Sequence, residues 1–293
     1  MAGPTPSAPP AASQGQTLPW RGSGGNRPDL PIPPVRQPLL HKGLMRKRWR
    51  YVGFYGEEIM LCAGVVRIGV SNHTFWSVWD RELGRAWEHT RLRPGGPEVV
   101  LDGPVVEIRT GNVRAALRFG EVEPIEVVSP SGRGWSWTRK RASVPVTGRV
   151  ILDGVTRSVE GFGVDDESAG YHRRHVDWRW SAGVGETADG RRVGWNLVEG
   201  INDAPTASER AVWIEGEPYE PAPVEFDGLE TVRFRDSGEA LEFEFGGAER
   251  ERHDNFGLIR SDYVHRFGTF TGSLDGIELA SGAGVMEDHK VVW

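Results

Sequence analysis

The sequence has one cysteine, Cys62, in 293 residues. That excludes an internal disulfide framework and a cysteine-rich zinc site, and it suits a reducing compartment. Long apolar runs are also missing. The clearest, "IMLCAGVV" around Cys62, is far shorter than a membrane span. The N-terminus has no apolar core of the kind a secretory signal needs, so a cytoplasmic protein is expected. No window carries the apolar stripe of a helix of useful length. There is no G-x-S-x-G elbow, no phosphate-binding loop and no dinucleotide fingerprint before a helix, so no cofactor is expected. His172-x-x-His175 has metal-like spacing, but no second Cys/His cluster completes it, and no metal is expected. The net charge of −6 argues against a nucleic-acid partner, which would need a broad basic surface.

Proline and glycine are plentiful, and each marks a different region. Ten of the 20 prolines fall in residues 1–38, where they remove backbone donors and favour extended chain. This stretch is expected to be a disordered tail with an ordered lead-in near Leu39. Beyond it, glycines separate short alternating runs rich in β-branched and aromatic residues, such as "KRWRYVGFY", "TFWSVWD" and "VRAALRF". About sixteen to twenty strands are expected, with hairpins at Asp153-Gly154 and Asp189-Gly190. An all-β barrel or sandwich domain uses roughly 120–150 residues, so two fit, at 39–160 and 161–293.

Alternation along a strand sorts side chains by face. In "HVDWRWS", Val176, Trp178 and Trp180 share one face, and His175, Asp177 and Arg179 share the other. The second set reads either as solvent-facing or as the polar lining of a cavity. The closing "GVMEDHKVVW" sorts Glu287, His289, Val291 and Trp293 together, with Met286, Asp288, Lys290 and Val292 opposite. Glu287 and His289 are then neighbours that could act as acid and base. The segment "GFGVDDESAGYHRRHVDW" gathers Asp165, Asp166, Glu167, Tyr171, His172 and His175. Crowded carboxylates raise one another's pKa, which could keep one protonated as a general acid. Twelve tryptophans are many for this length, and alternating aromatics either fill a core or line an apolar cavity.

Three blocks, "KRWRYVGFYGEEIMLCAGVVRIG…FWSVWDR", "DWRWSAGVGETADGRRVGWNLVEGINDAPTASERAVWIEGE" and "NFGLIRSDYVHRFGTFTGSLDGIELASGAGVMEDHKVVW", resemble the DUF2804 family of uncharacterised proteins. More distantly, "TGRVILDGVTRSVEGFGVDD" followed by "GWNLVEG" is similar to the carotenoid 1,2-hydratase and AttH-like group. In that group a tryptophan usually precedes the aspartate of the acidic motif, where this chain has Val164. The resemblance implies two packed lipocalin-like antiparallel β-domains, a cavity for an apolar molecule and proton chemistry without a cofactor. The expected catalytic candidates are Asp165, Asp166, Glu167, His172, His175, Glu287 and His289. The expected ligand-binding candidates are Tyr171, Asp177, Trp178, Trp180, Trp195, Glu199, Tyr263 and Asp288. Three functions stay open: an enzyme that hydrates, isomerises or cyclises an isoprenoid- or lipid-like substrate, a binding protein for such a ligand, and an interaction module with filled barrels.

Overall fold

The computed structural model describes residues 17–22, 26–92, 98–255 and 259–293. Among them are 22 strands and no helix. Alternation is the local cause. In Val113–Phe119, Val113, Ala115, Leu117 and Phe119 are buried while Arg114, Ala116 and Arg118 are exposed. Such a segment can bury its apolar set only as an extended strand with one face covered. Both expected hairpins form. Asp153 and Gly154 take positive φ between Gly134–Leu152 and Val155–Gly170, and Gly190 does so between His175–Thr187 and Arg192–Glu199.

The strands make two large antiparallel sheets. The first runs in the order Arg85–Arg91, Ser71–Asp80, Ile59–Ile68, Lys47–Tyr55, Val155–Gly170, Gly134–Leu152, Val113–Phe119, Val105–Arg109 and Val99–Asp102. It curls until Val99–Asp102 meets Ile59–Ile68. The second runs Glu217–Tyr219, Ala211–Ile214, Arg192–Glu199, His175–Thr187, Ile277–Val292, Arg260–Leu274, Ala240–Asn255, Thr231–Phe234 and Val224–Asp227. It curls so that Val224–Asp227 meets Arg192–Glu199. Residue 160 lies inside a strand of the first sheet, and sheet membership changes only at 171–174.

Each sheet encloses its own apolar cluster, the first around Val52, Leu61, Trp76 and Leu117, the second around Trp195, Phe234, Leu241 and Phe270. A third cluster lies between the sheets. It joins Tyr51, Met60, Cys62 and Trp79 of the first to Trp180, Trp213, Phe267 and Val285 of the second. The contact is close enough to require glycine at 194, where a Cβ would sit 2.5 Å from the Ser143 backbone nitrogen. The Trp213 indole also donates across the boundary to the Glu123 carbonyl at 2.8 Å.

The proline-rich segment orders earlier than expected. Residues 1–16 and 23–25 lie outside the described residues, but Trp20–Gly22 pairs with Ile125–Ser131. Ile32 is buried in a fourth cluster with Trp135, Trp137 and Tyr171, and Leu18, Trp20 and Leu30 pack on it. Arg21 donates to the Arg210 carbonyl at 2.8 Å, tying this segment to the second sheet. Prolines favour extended chain, and here the few apolar residues between them find a barrel end to cover.

Candidate functional site

Between the two sheets an apolar cleft of about 680 Å³ leads to an inner lobe of about 130 Å³. Val66, Phe75, Tyr263, His289 and Trp293 line both. The outer part is faced by Leu39, Leu40, Met45, Ile68, Val70 and Val291. The inner lobe adds Trp49, Tyr51, Trp178 and Trp180, together with Lys140, Asp166, Asn202, Glu209 and Glu287. An aromatic pocket thus ends on carboxylates.

Glu287 comes from the closing strand, which pairs with His175–Thr187 on one side and Arg260–Leu274 on the other. Trp180 and His265 are its direct cross-strand neighbours. The Trp178 indole donates to Glu287 Oε1 at 2.8 Å, and the Tyr263 hydroxyl donates to the same carboxyl. Burial drives the Glu287 pKa up to about 7, outweighing those two hydrogen bonds, while negative charge on Asp166 adds to the rise. Near neutrality this group can both give and take a proton. His289, one pleat further out on the same face, accepts or donates at 2.8 Å with Ser261 Oγ and packs on the Trp178 and Tyr263 rings. Burial lowers its pKa, which keeps the imidazole neutral.

Opposite Glu287, Lys140 Nζ donates to Asp166 Oδ2 at 2.6 Å and lies 3.5 Å from Glu209. The Asn202 amide holds Glu209 at 2.9 Å, and Ser136 holds Asn202 at 2.6 Å. Burial raises the pKa of both Asp166 and Glu209, while the Lys140 ammonium works against that rise. Asp166 Oδ1 is buried with no hydrogen-bond partner among the described residues. Behind Tyr51, its hydroxyl is 3.2 Å from the Tyr55 hydroxyl and 3.1 Å from His265 Nε2. Arg250, nearly fully buried, lies over Phe75 and near Tyr263, and is held by Glu88 at 3.2 Å and Thr90 at 3.0 Å.

Asp166, Glu287, His289, Trp178, Trp180 and Tyr263 therefore meet in one cleft. Strand alternation separates the others. Asp165 and Glu167 point the opposite way from Asp166, into a larger cavity of about 910 Å³ in the first barrel. There Arg50 and Arg141 hold Asp165 and depress its pKa, although burial alone would raise it, and Arg48 holds Glu167 at 2.8 Å. That cavity is larger than the cleft, but its walls are arginines paired with carboxylates rather than an apolar surface with a free acid. Tyr171 is buried in the end cluster, donating to the Pro38 carbonyl at 2.7 Å. His172 is buried behind the cleft wall, its ring against Trp49, with its pKa pushed down to about 3 by burial. His175 and Asp177 are exposed. Asp288 and Glu199 flank Arg179 at 3.5 and 3.6 Å, away from the cleft. Trp195 fills the second barrel and donates to Ser181 at 3.1 Å. In "HVDWRWS" it is the tryptophan face, not the ionisable one, that lines the cavity.

Lys140, Glu209, Asn202 and Arg250 were not among the expected residues. A lysine in "WTRKRAS" and a glutamate in "ASERAV" give no local sign of meeting, because the sheet-to-sheet contact brings them together. Among the described residues no group of three or more His, Cys, Asp or Glu side chains gathers as a metal site.

A family described as "Domain of unknown function (DUF2804)" matches residues 104–293, leaving the block at 47–81 outside the match. No curated protein sequence matches significantly. Among solved structures, a protein assigned as AttH from Nitrosomonas europaea is 14% identical with a TM-score of 0.50, over 88% of this chain and 98% of that one. Kievitone hydratase from Nectria haematococca is 10% identical with a TM-score of 0.53, over 84% of this chain and 88% of that one. At those identities the likeness is one of fold: two lipocalin-like β-bodies packed together.

Proposed function

The chain belongs to the DUF2804 family, and within that family's β-scaffold we propose that it is an enzyme moving a proton on an apolar, isoprenoid- or lipid-like small molecule. The observation that carries this reading is the buried Glu287, whose pKa is raised to about 7, at the inner end of an apolar cleft. Protonated, its carboxyl O–H donates to a carbon–carbon double bond held in the lobe. The electron pair of that bond forms the new C–H bond, and the adjacent carbon becomes cationic. The faces of Trp178, Trp180 and Tyr51 stabilise that charge. The Glu287 carboxylate then removes a proton, which restores the acid for the next turn. Loss from a neighbouring carbon completes an isomerisation. Attack by water, followed by loss of one of its protons, completes a hydration, and attack by a second double bond leads to a ring. In each route Glu287 gives one proton and recovers one, from the substrate or from the attacking water. Trp178 and Tyr263 hold the acid in place, as a proton-transfer geometry requires. A neighbour of similar fold, kievitone hydratase from Nectria haematococca, is named for a hydration, which supports the reading by analogy.

The test is mass spectrometry of small molecules that co-purify with the wild type and with Glu287→Gln. The variant should retain a compound that the wild type has converted. A mass gain of one water reads as hydration, and an unchanged mass with altered retention reads as isomerisation or cyclisation. The same unaltered compound in both preparations would make the cleft a binding site without turnover.

A further inference from the structure

Large exposed apolar side chains are few among the described residues, and half of them surround the mouth of this cleft. Leu39, Leu40, Met45 and Val70 line its outer part, with Leu40 62% and Val70 92% exposed. Scattered apolar residues need no explanation, but a cluster at a cavity mouth marks an interaction surface. Both protruding tips are tight turns. Leu40–His41 and Leu44–Met45 form a hairpin through Lys42 and Gly43, and Gly69-Val70 joins Ile59–Ile68 to Ser71–Asp80. The Gly69 amide donates to the Arg46 carbonyl at 2.9 Å, fastening one tip to the other.

The charge around the tips runs against that of the whole chain. Residues 30–46, which form one tip and its approach, hold three Lys and Arg and no Asp or Glu, in a chain of net charge −6. Arg36 and Lys42 are exposed beside the leucines, and Arg67 is exposed beside Val70. On the facing wall of the cleft Asp254 is paired with Arg252 at 2.8 Å, so that side adds no unpaired acid. Apolar tips within a cationic collar complement an anionic lipid surface, where apolar burial and headgroup attraction act together.

We propose that this rim docks the cleft mouth on an anionic bilayer. Leu40 and Val70 enter the acyl boundary, Arg36 and Lys42 lie among the headgroups, and an apolar substrate passes between bilayer and cleft without crossing water. The inference rests on the proposed function only for the identity of what passes; the docking itself rests on the rim.

The test is flotation of the full chain with phosphatidylcholine vesicles, with and without phosphatidylserine. The protein should float with the anionic vesicles, and added salt should weaken the binding. The double variant L40D/V70D alters only exposed side chains, so its melting temperature should match the wild type. Its binding should fall about tenfold or more, and Lys42→Glu should give a smaller loss. The proposal is overturned if the wild type stays with the unbound fraction, or if L40D/V70D floats equally well. It is also overturned if light scattering without vesicles finds a dimer that L40D/V70D dissociates, since a second copy would then cover the rim. Glu287→Gln should float like the wild type, so a failure of the proton chemistry leaves this result standing, and a failure to float leaves the proton chemistry untouched.

Discussion

Replacing Glu287 by glutamine should make the protein more stable at high pH and inactive at every pH. The Glu287 pKa rises from 4.5 to about 7 on folding because the carboxylate is buried. Between those two values the folded chain binds more protons than the unfolded one, so stability falls as pH rises. The contribution of the protonated acid is fully present below about pH 4.5 and is lost as pH rises through about 7. At 1.36 kcal/mol per pKa unit, the loss amounts to roughly 3 kcal/mol. Glutamine does not titrate. Its carbonyl can still accept from Trp178, and its amide can donate to the Tyr263 oxygen, so the local hydrogen bonds survive. At high pH the variant should therefore melt above the wild type by roughly 5 °C, and at low pH the two curves should converge. Glutamine has no acidic proton, so turnover should drop by at least about a hundredfold. Calorimetry across the pH range is the assay. A variant that melts below the wild type at high pH, or shows the same offset at every pH, would refute the argument and make Glu287 a structural clamp.

Lys140→Met leaves Asp166 and Glu209 buried together without their cation, and should destabilise the fold near neutral pH by roughly 3–5 kcal/mol, measured by denaturant unfolding. The loss should shrink in acid, where both carboxyls are protonated. Trp178→Phe removes a hydrogen bond that favours the charged form of Glu287, so the alkaline limb of the activity profile should move to higher pH; an unmoved limb would show that another group sets it. Deleting residues 1–35 removes the strand pairing at Trp20–Gly22 and the buried Ile32, and should lower the melting temperature by several degrees; an unchanged value would mean that this packing adds nothing. Trp293→Ala should loosen the end of the closing strand, where Lys47 lies over the indole at 5.1 Å, and should weaken retention of any co-purifying apolar compound.

The period-two rule carried the sequence reading furthest. It placed Glu287, His289, Val291 and Trp293 on one face of the last strand, and the structure turns all four into the cleft. The same rule, applied to "VDDE", would have split Asp166 from Asp165 and Glu167, since adjacent residues on a strand point to opposite faces of the sheet. The all-β fold and both Asp-Gly hairpins were legible because turn chemistry and alternation are local properties. The partners of Asp166 were not. Lys140 comes from the neighbouring strand and Glu209 from the loop that precedes Ala211–Ile214 of the other sheet, and nothing near either residue records the meeting. The packed part of the proline-rich segment was missed for a similar reason: composition describes the free chain, and the barrel end that receives Ile32 is built by residues about a hundred positions away.

The apolar cluster between the sheets has a consequence for modularity. Met60, Cys62 and Trp79 of one half are buried only because Trp213, Phe267 and Val285 of the other cover them, and Gly194 lets the two backbones touch. Cut apart, each half would present a broad greasy wall to water and invite self-association. The two curled sheets, alike as they are, should therefore melt in a single transition. A gene fragment encoding either one alone should yield an insoluble product, and a recombinant that exchanged one half for that of a distant relative would have to exchange the matching wall of the other.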